Sequence, residues 1–276
     1  MAEVDNMKKS FDKEDWIAKK AEDKRAVFEL LETATESLSQ PENLIKYLDV
    51  QSRFDRYSVS NALLVANQMP DATKLGDISY WNSQDVYINK GEKAISIIEP
   101  EEYTKTDGTK GTAYNAKKLF DISQTDCKPR IHREKHFDKK ALIKILHENS
   151  KCRVIVANNL PENVVAQYDR NNNCISVQKG AEPDEVFRAI NREIAFVQLD
   201  KKDIPENIKA FSATCVSYIL SRKFNIEPPE IKVNSDVFAD KENKEIRSLL
   251  KNVRDMANDT SAVIEKALSN RDRDAR

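Results

Sequence analysis

The sequence predicts a helix-rich α+β chain, and three observations carry that expectation. Apolar residues recur at three- and four-residue steps along most of its length, which is the helical period. Only five glycines accompany 33% charged residues, a composition that favours helix. Two stretches depart from that period and alternate instead, each around a turn rich in glycine or asparagine, as paired strands do. With 276 residues the chain has room for one large or two small domains and a proper core.

In order, Phe11 to Leu38 reads as a helix with Trp16, Ile17, Ala21, Val27, Leu30 and Leu31 at helical steps. Gln40-Pro41 breaks it, and a short helix begins at Pro41. Its apolar face, Leu44, Tyr47, Leu48, Val50 and Phe54, runs on into an amphipathic helix from Arg53 to Asn67 that Pro70 stops. After Trp81, Val86 and Ile88 alternate against Asp85, Tyr87 and Asn89 as a strand. Lys90-Gly91-Glu92-Lys93 makes the turn, and Ala94 to Ile98 returns as an apolar strand ended by Pro100. Tyr103 to Tyr114, with Asp107-Gly108 and Lys110-Gly111, reads as a turn-rich mobile loop, and Lys118 to Ile122 as a strand rejoining the sheet. From Lys128 to Lys140 six Lys or Arg face two acids without apolar periodicity, so the domain boundary is placed there. Beyond it come a helix (Ala141–Glu148), a strand (Val154–Val156), a hairpin turning through Asn171-Asn172-Asn173, and helices over Pro183–Leu199 and Glu206–Phe224. The last long segment, Asn243 to Leu268, carries an apolar stripe that either packs on the body or joins a partner helix. The expected organisation is thus residues 1–127, a basic linker 128–140, a second domain 141–230, and a terminal helix with charged tail over 231–276.

A net charge of −1 provides no global field to draw in nucleic acid, so any such binding must rest on local patches. Cys127, Cys152, Cys174 and Cys215 lie far apart and read as reduced cytosolic thiols rather than a zinc knuckle or disulfide scaffold. A polar, acidic N-terminus and the lack of any apolar run near ~20 residues predict a cytoplasmic chain with no membrane partner. His132 and His136 have the i, i+4 spacing of metal ligands but no third ligand nearby. With no nucleophile–base pair, no phosphate loop and three histidines in all, neither a cofactor nor an enzymatic activity is expected.

The first alternating stretch has one positive implication. A glycine turn carrying two lysines sets ammonium groups beside aromatic rings, a surface suited to a single-stranded nucleic acid. Arg56-Tyr57-Ser58, Asn61, Leu63-Leu64, Pro70-Asp71-Ala72-Thr73, Trp81, Lys90-Gly91-Glu92-Lys93 and Leu119-Phe120-Asp121-Ile122-Ser123-Gln124-Thr125 follow in order. Together they resemble the N-terminal domain of ArdC-like antirestriction proteins of conjugative plasmids and transposons. The resemblance covers the chain from about residue 10 to residue 130 and implies single-stranded DNA binding by an accessory protein of a mobile element. On that expectation Arg53 and Arg56 clamp phosphates, Tyr57, Trp81 and Tyr87 stack on bases, Asn61 is a polar contact, and Lys90 and Lys93 meet phosphates. The competing expectation puts Trp81 in the core and makes Tyr57 and Asn61 buried links between helix and sheet. Eleven basic residues face eleven acidic ones between Arg53 and Arg130, so affinity should be modest and salt-sensitive.

The resemblance extends to the second domain, which in ArdC-like proteins is a zincin-like metallopeptidase. The place of its His-Glu-x-x-His is Arg192-Glu193-Ile194-Ala195-Phe196, and its third ligand falls at Thr214. A guanidinium and a phenyl ring offer zinc no lone pair, so only Glu193 survives and no metal or peptidase chemistry is expected. Glu193 is left to pair with Arg192 or another cation. A rival reading makes the chain a non-enzymatic adaptor whose C-terminal domain and helix bind a restriction or conjugation protein.

Overall fold

A computed structural model describes residues 13–127, 136–201, 203–232 and 237–274. The N-terminal half opens with α1 (Lys13–Glu36), α2 (Pro41–Arg53) and α3 (Val59–Gln68). Pro41 starts α2 at the position where a missing N–H costs nothing, and Ser58 caps α3 by accepting the Asn61 N–H at 3.2 Å. A two-residue strand β1 (Leu75–Gly76) and a short helix α4 (Ile78–Asn82) precede a long ribbon, β2 (Ile95–Thr104) with β3 (Lys110–Asp121). Their sheet has the order β1-β3-β2 and is antiparallel throughout.

The C-terminal half begins with α5 (Lys139–Asn149), followed by β4 (Arg153–Ala157), β5 (Ala166–Asp169) and β6 (Cys174–Gln178). Here the order is β4-β6-β5, with β4 parallel and β5 antiparallel to β6. Asn173 closes the β5–β6 turn at φ +44°, the left-handed region that asparagine tolerates. Helix α6 (Pro183–Asp200) packs on this sheet, α7 (Glu206–Lys223) packs on α6, and α8 (Asn243–Asp274) ends the fold. One apolar core runs through both halves, and the stripe Ile246, Leu250, Val253, Met256, Ala257 and Ile264 of α8 is buried within it. The terminal helix therefore packs on the body. Polar ties cross the same seam: the Tyr218 hydroxyl donates to Asp49 at 3.0 Å, and Lys223 bridges Asp55 at 2.8 Å and Glu265 at 3.0 Å.

The helices and the second sheet follow the sequence expectation closely, but the first hairpin does not. Residues 84–89 are not a strand. Apart from one isolated bridge, Ile88 to Thr125, their polar groups are satisfied by the 122–126 segment: Tyr87 N–H donates to the Asp126 carboxylate and Asn89 N–H to the Gln124 carbonyl. The hairpin lies one strand later, and the expected mobile loop at 103–114 is its tip, turning through Lys105–Thr109. Pro100 does not end β2, because Ser96 and Ile98 direct their N–H groups away from β3 and Pro100 shares that alternation. Its missing N–H therefore faces outward, where a ladder loses nothing. Arg53 likewise ends α2 rather than opening α3.

Candidate nucleic-acid interface and C-terminal cleft

The segment Phe120–Asp126 organises the N-terminal surface. Asp121 is buried, and its carboxylate accepts the N–H groups of Thr73 (2.7 Å), Lys74 (2.8 Å) and Ser123 (2.9 Å). Gln124 returns the cap by accepting the Asp121 N–H and donates to the Lys93 carbonyl and the Glu92 carboxylate. These bonds anchor the loops on either side, one bearing Lys74 and the other Lys90 and Lys93. Trp81 is 1% exposed and its indole N–H donates to the Phe120 carbonyl at 3.0 Å. Lys74 lies over both the Trp81 and Tyr80 rings, at 5.4 and 5.5 Å. Tyr80 sets the Cδ1 edge of its ring against Gly76, where any Cβ would overlap it.

The expected site residues divide on this frame. Tyr87 is 58% exposed, and Lys90 and Lys93 project from a turn in which Gly91 takes φ +92°. Neither lysine has an ion-pair partner among the described residues. Trp81 is a correction: a ring closed in the core cannot stack on a base. Asn61 is another, since its amide is held by the Ile98 N–H and C=O, both at 2.9 Å, as a link between helix and strand. Gln68 does the same for Ser96, so two amides of α3 stand in for a neighbouring strand along the β2 edge. Arg53 directs its guanidinium to the Ala72 carbonyl (3.0 Å) and the Pro70 carbonyl, pinning the loop after α3. Tyr57 is half-buried against Phe54. Arg56 is exposed, but it sits at the opposite end of α3 from the Lys93 side, about 15 Å along the helix. Sequence reasoning missed Lys74, Tyr80 and Ile78; the signal available was a lysine and two apolar residues flanking Asp77, the N-cap of α4.

The second site is a cleft of about 690 Å³ between β5, α6 and α7. Arg192, Glu193, Phe196 and Thr214 all line it. The Glu193 carboxylate accepts the Arg192 Nε–H (2.9 Å) and the Tyr168 N–H (2.9 Å), while Arg192 reaches the Ala166 carbonyl at 3.5 Å. This pair therefore closes the outer edge of β5 much as Asn61 and Gln68 close that of β2. Thr214 turns its hydroxyl back to the Ala210 carbonyl at 2.9 Å. The Phe196 ring is covered by Arg170 at 5.6 Å. Arg170 is itself fixed by Asp200 (2.8 Å) and Glu206 (2.7 Å), which Lys209 also approaches. Burial alone would raise the Asp200 pKa, but Arg170 and Lys209 hold it below the usual carboxylate range, and Arg170 does the same for Glu206. These residues do not fit a catalytic metal: among the described residues no three His, Cys, Asp or Glu side chains gather to hold one.

No protein-family model matches the chain. Over 93 residues it is 27% identical to the uncharacterized protein pXO2-81 of Bacillus anthracis, a match spanning 33% of this chain and only 16% of that protein. Among solved structures, the metal-free crystal structure of the antirestriction protein ArdC from plasmid R388 superposes with a TM-score of 0.58 at 11% identity, covering 78% of this chain and 86% of that one. The Mn(II)-bound structure of the same protein gives a TM-score of 0.60 at 12% identity, covering 87% and 98%. By architecture, this chain is ArdC-like.

Proposed function

We propose that this chain is a single-stranded DNA-binding accessory protein of a mobile element, of the antirestriction type, and that its peptidase-like half is catalytically inert. The observation that carries the reading is the surface made by Tyr87, Lys90 and Lys93 beside Lys74, Tyr80 and Ile78. Exposed rings and lysines stand there on loops anchored by one segment, 121–126, of an ArdC-like fold, and that combination suits unpaired bases and phosphates. Ile78 (56% exposed) and Tyr80 (38%) add apolar area where Trp81 supplies none. The amides of Asn61, Gln68, Asn89 and Gln124 are all engaged with backbone, leaving little with which to read base edges.

The test is retention of a labelled single-stranded oligonucleotide at low salt by Lys90→Glu/Lys93→Glu, with thermal unfolding as a control. Binding should be abolished in a protein that still folds. Undiminished binding by a folded double variant would refute the assignment. With three phosphate-facing lysines, log K should fall against log salt with a slope of about −2. The adaptor reading loses its main support, because the apolar stripe of α8 is already buried.

A further inference from the structure

The cleft in the C-terminal half has exchanged acceptors for donors, and we propose that it binds the phosphate group of an anionic ligand. A metal centre needs lone pairs directed inward. Here Arg192 and Arg170 both line the cleft, with side chains 46% and 51% exposed. Each guanidinium is held by its inner edge: Nε and Nη2 of Arg192 on Glu193, and Nε and Nη2 of Arg170 on Asp200 and Glu206. That leaves Nη1 of both without a partner among the described residues, on side chains whose orientation is already fixed. Ordering an arginine is a main cost of anion binding, and these two carry it in the free protein.

The carboxylates nearby are engaged with these cations and with the backbone. Asp169, Glu193, Asp200 and Glu206 outnumber Arg170, Arg192 and Lys209, and each acid accepts hydrogen bonds from within the fold, Glu206 through Oε1 alone. Asp169 accepts from the backbone of Asn171 and Asn172 and from the Asn172 amide. Glu193 accepts from Tyr168 and Arg192, while Asp200 and Glu206 share Arg170 and Lys209. Beside these internally paired acids, Nη1 of both arginines remains open to an anion. The open Nη1 groups of two guanidiniums held in place by carboxylates can each donate to a phosphate oxygen.

Two sources could supply the group, a free small phosphate or the phosphorylated end of a nucleic-acid strand, and both are tested on the full-length chain. Inorganic phosphate, titrated at constant ionic strength, should bind saturably with one equivalent and shift the Nε–H resonances of Arg170 and Arg192. Arg170→Gln and Arg192→Lys should each weaken binding about tenfold, the loss of one charge-assisted contact. Lys90→Glu/Lys93→Glu should leave it unchanged, which separates this site from the nucleic-acid surface. Tighter retention of a 5′-phosphorylated oligonucleotide than of its 5′-hydroxyl twin assigns the phosphate to a strand end, and equal retention assigns it to a free anion. No saturable binding by about 10 mM, or binding undiminished in both arginine variants, would overturn the proposal. Thermal unfolding of each variant confirms that the fold survives.

Discussion

Trp81 and Tyr87 lie six positions apart in the sequence and meet opposite environments, which makes them a direct experiment. Trp81→Ala removes a buried ring and strands the Phe120 carbonyl, so it should destabilise by about 3–5 kcal/mol in a denaturant titration. Tyr87→Ala touches nothing in the core; it should leave stability unchanged and weaken oligonucleotide binding by about 1–3 kcal/mol, read by anisotropy. Equal loss of binding by both, in folded proteins, would mean that the rings act together. The sequence could not distinguish them, because both are aromatic residues in polar surroundings and the group that takes the indole N–H is 39 positions away. Asn61 is opaque for the same reason: its partner is 37 positions distant, and nothing local to it announces a strand edge. Lys90 and Lys93 were legible since a lysine in a glycine turn has few destinations other than solvent.

At the scale of elements, the long helices were readable from apolar period alone, and so was the β5–β6 hairpin, whose turn residues are asparagines. The β2–β3 ribbon was not, because its outer half carries Glu99, Pro100, Glu101 and Glu102 and is exposed on both faces, so neither alternation nor burial marks it. What holds its inner end is the pair of α3 amides. Asn61→Ala leaves the Ile98 N–H and C=O unpaired at a half-closed edge and should cost about 1–3 kcal/mol, with faster hydrogen exchange at Ser96 and Ile98. The Arg170 cluster answers to pH instead. Asp200 and Glu206 titrate below their ordinary range, so their contribution is complete above the unfolded-state values, near pH ~4, and is lost as pH falls through the lower folded values. Urea midpoints measured from pH 6 down to about pH 3 should therefore fall less steeply in Arg170→Gln than in the parent protein.

Across the whole molecule, α8 acts with α7 to tie two sequence-distant halves together. Its inner face is buried against α7, while Arg247 reaches Glu32 at 3.0 Å on α1. Arg254 and Asn258 donate to the Tyr57 and Asp55 carbonyls of the turn that carries Arg56. From the other side, Lys223 of α7 holds the Asp55 carboxylate. The N-terminal turn is thus positioned by side chains some 170 to 200 residues later in the chain. Removing residues 240–276 exposes the apolar faces of α7 and α3 together and leaves these carbonyls open. Such a truncation should bind a hydrophobic dye and lose stability in both halves, monitored separately through Trp81 emission and the Tyr168 ring signals. A truncated chain that keeps a sharp transition in the N-terminal half alone would show that the two halves fold independently, and that α8 is an accessory to the C-terminal half. Coincident loss at both probes would show that the C-terminal half is the frame on which the N-terminal surface is held.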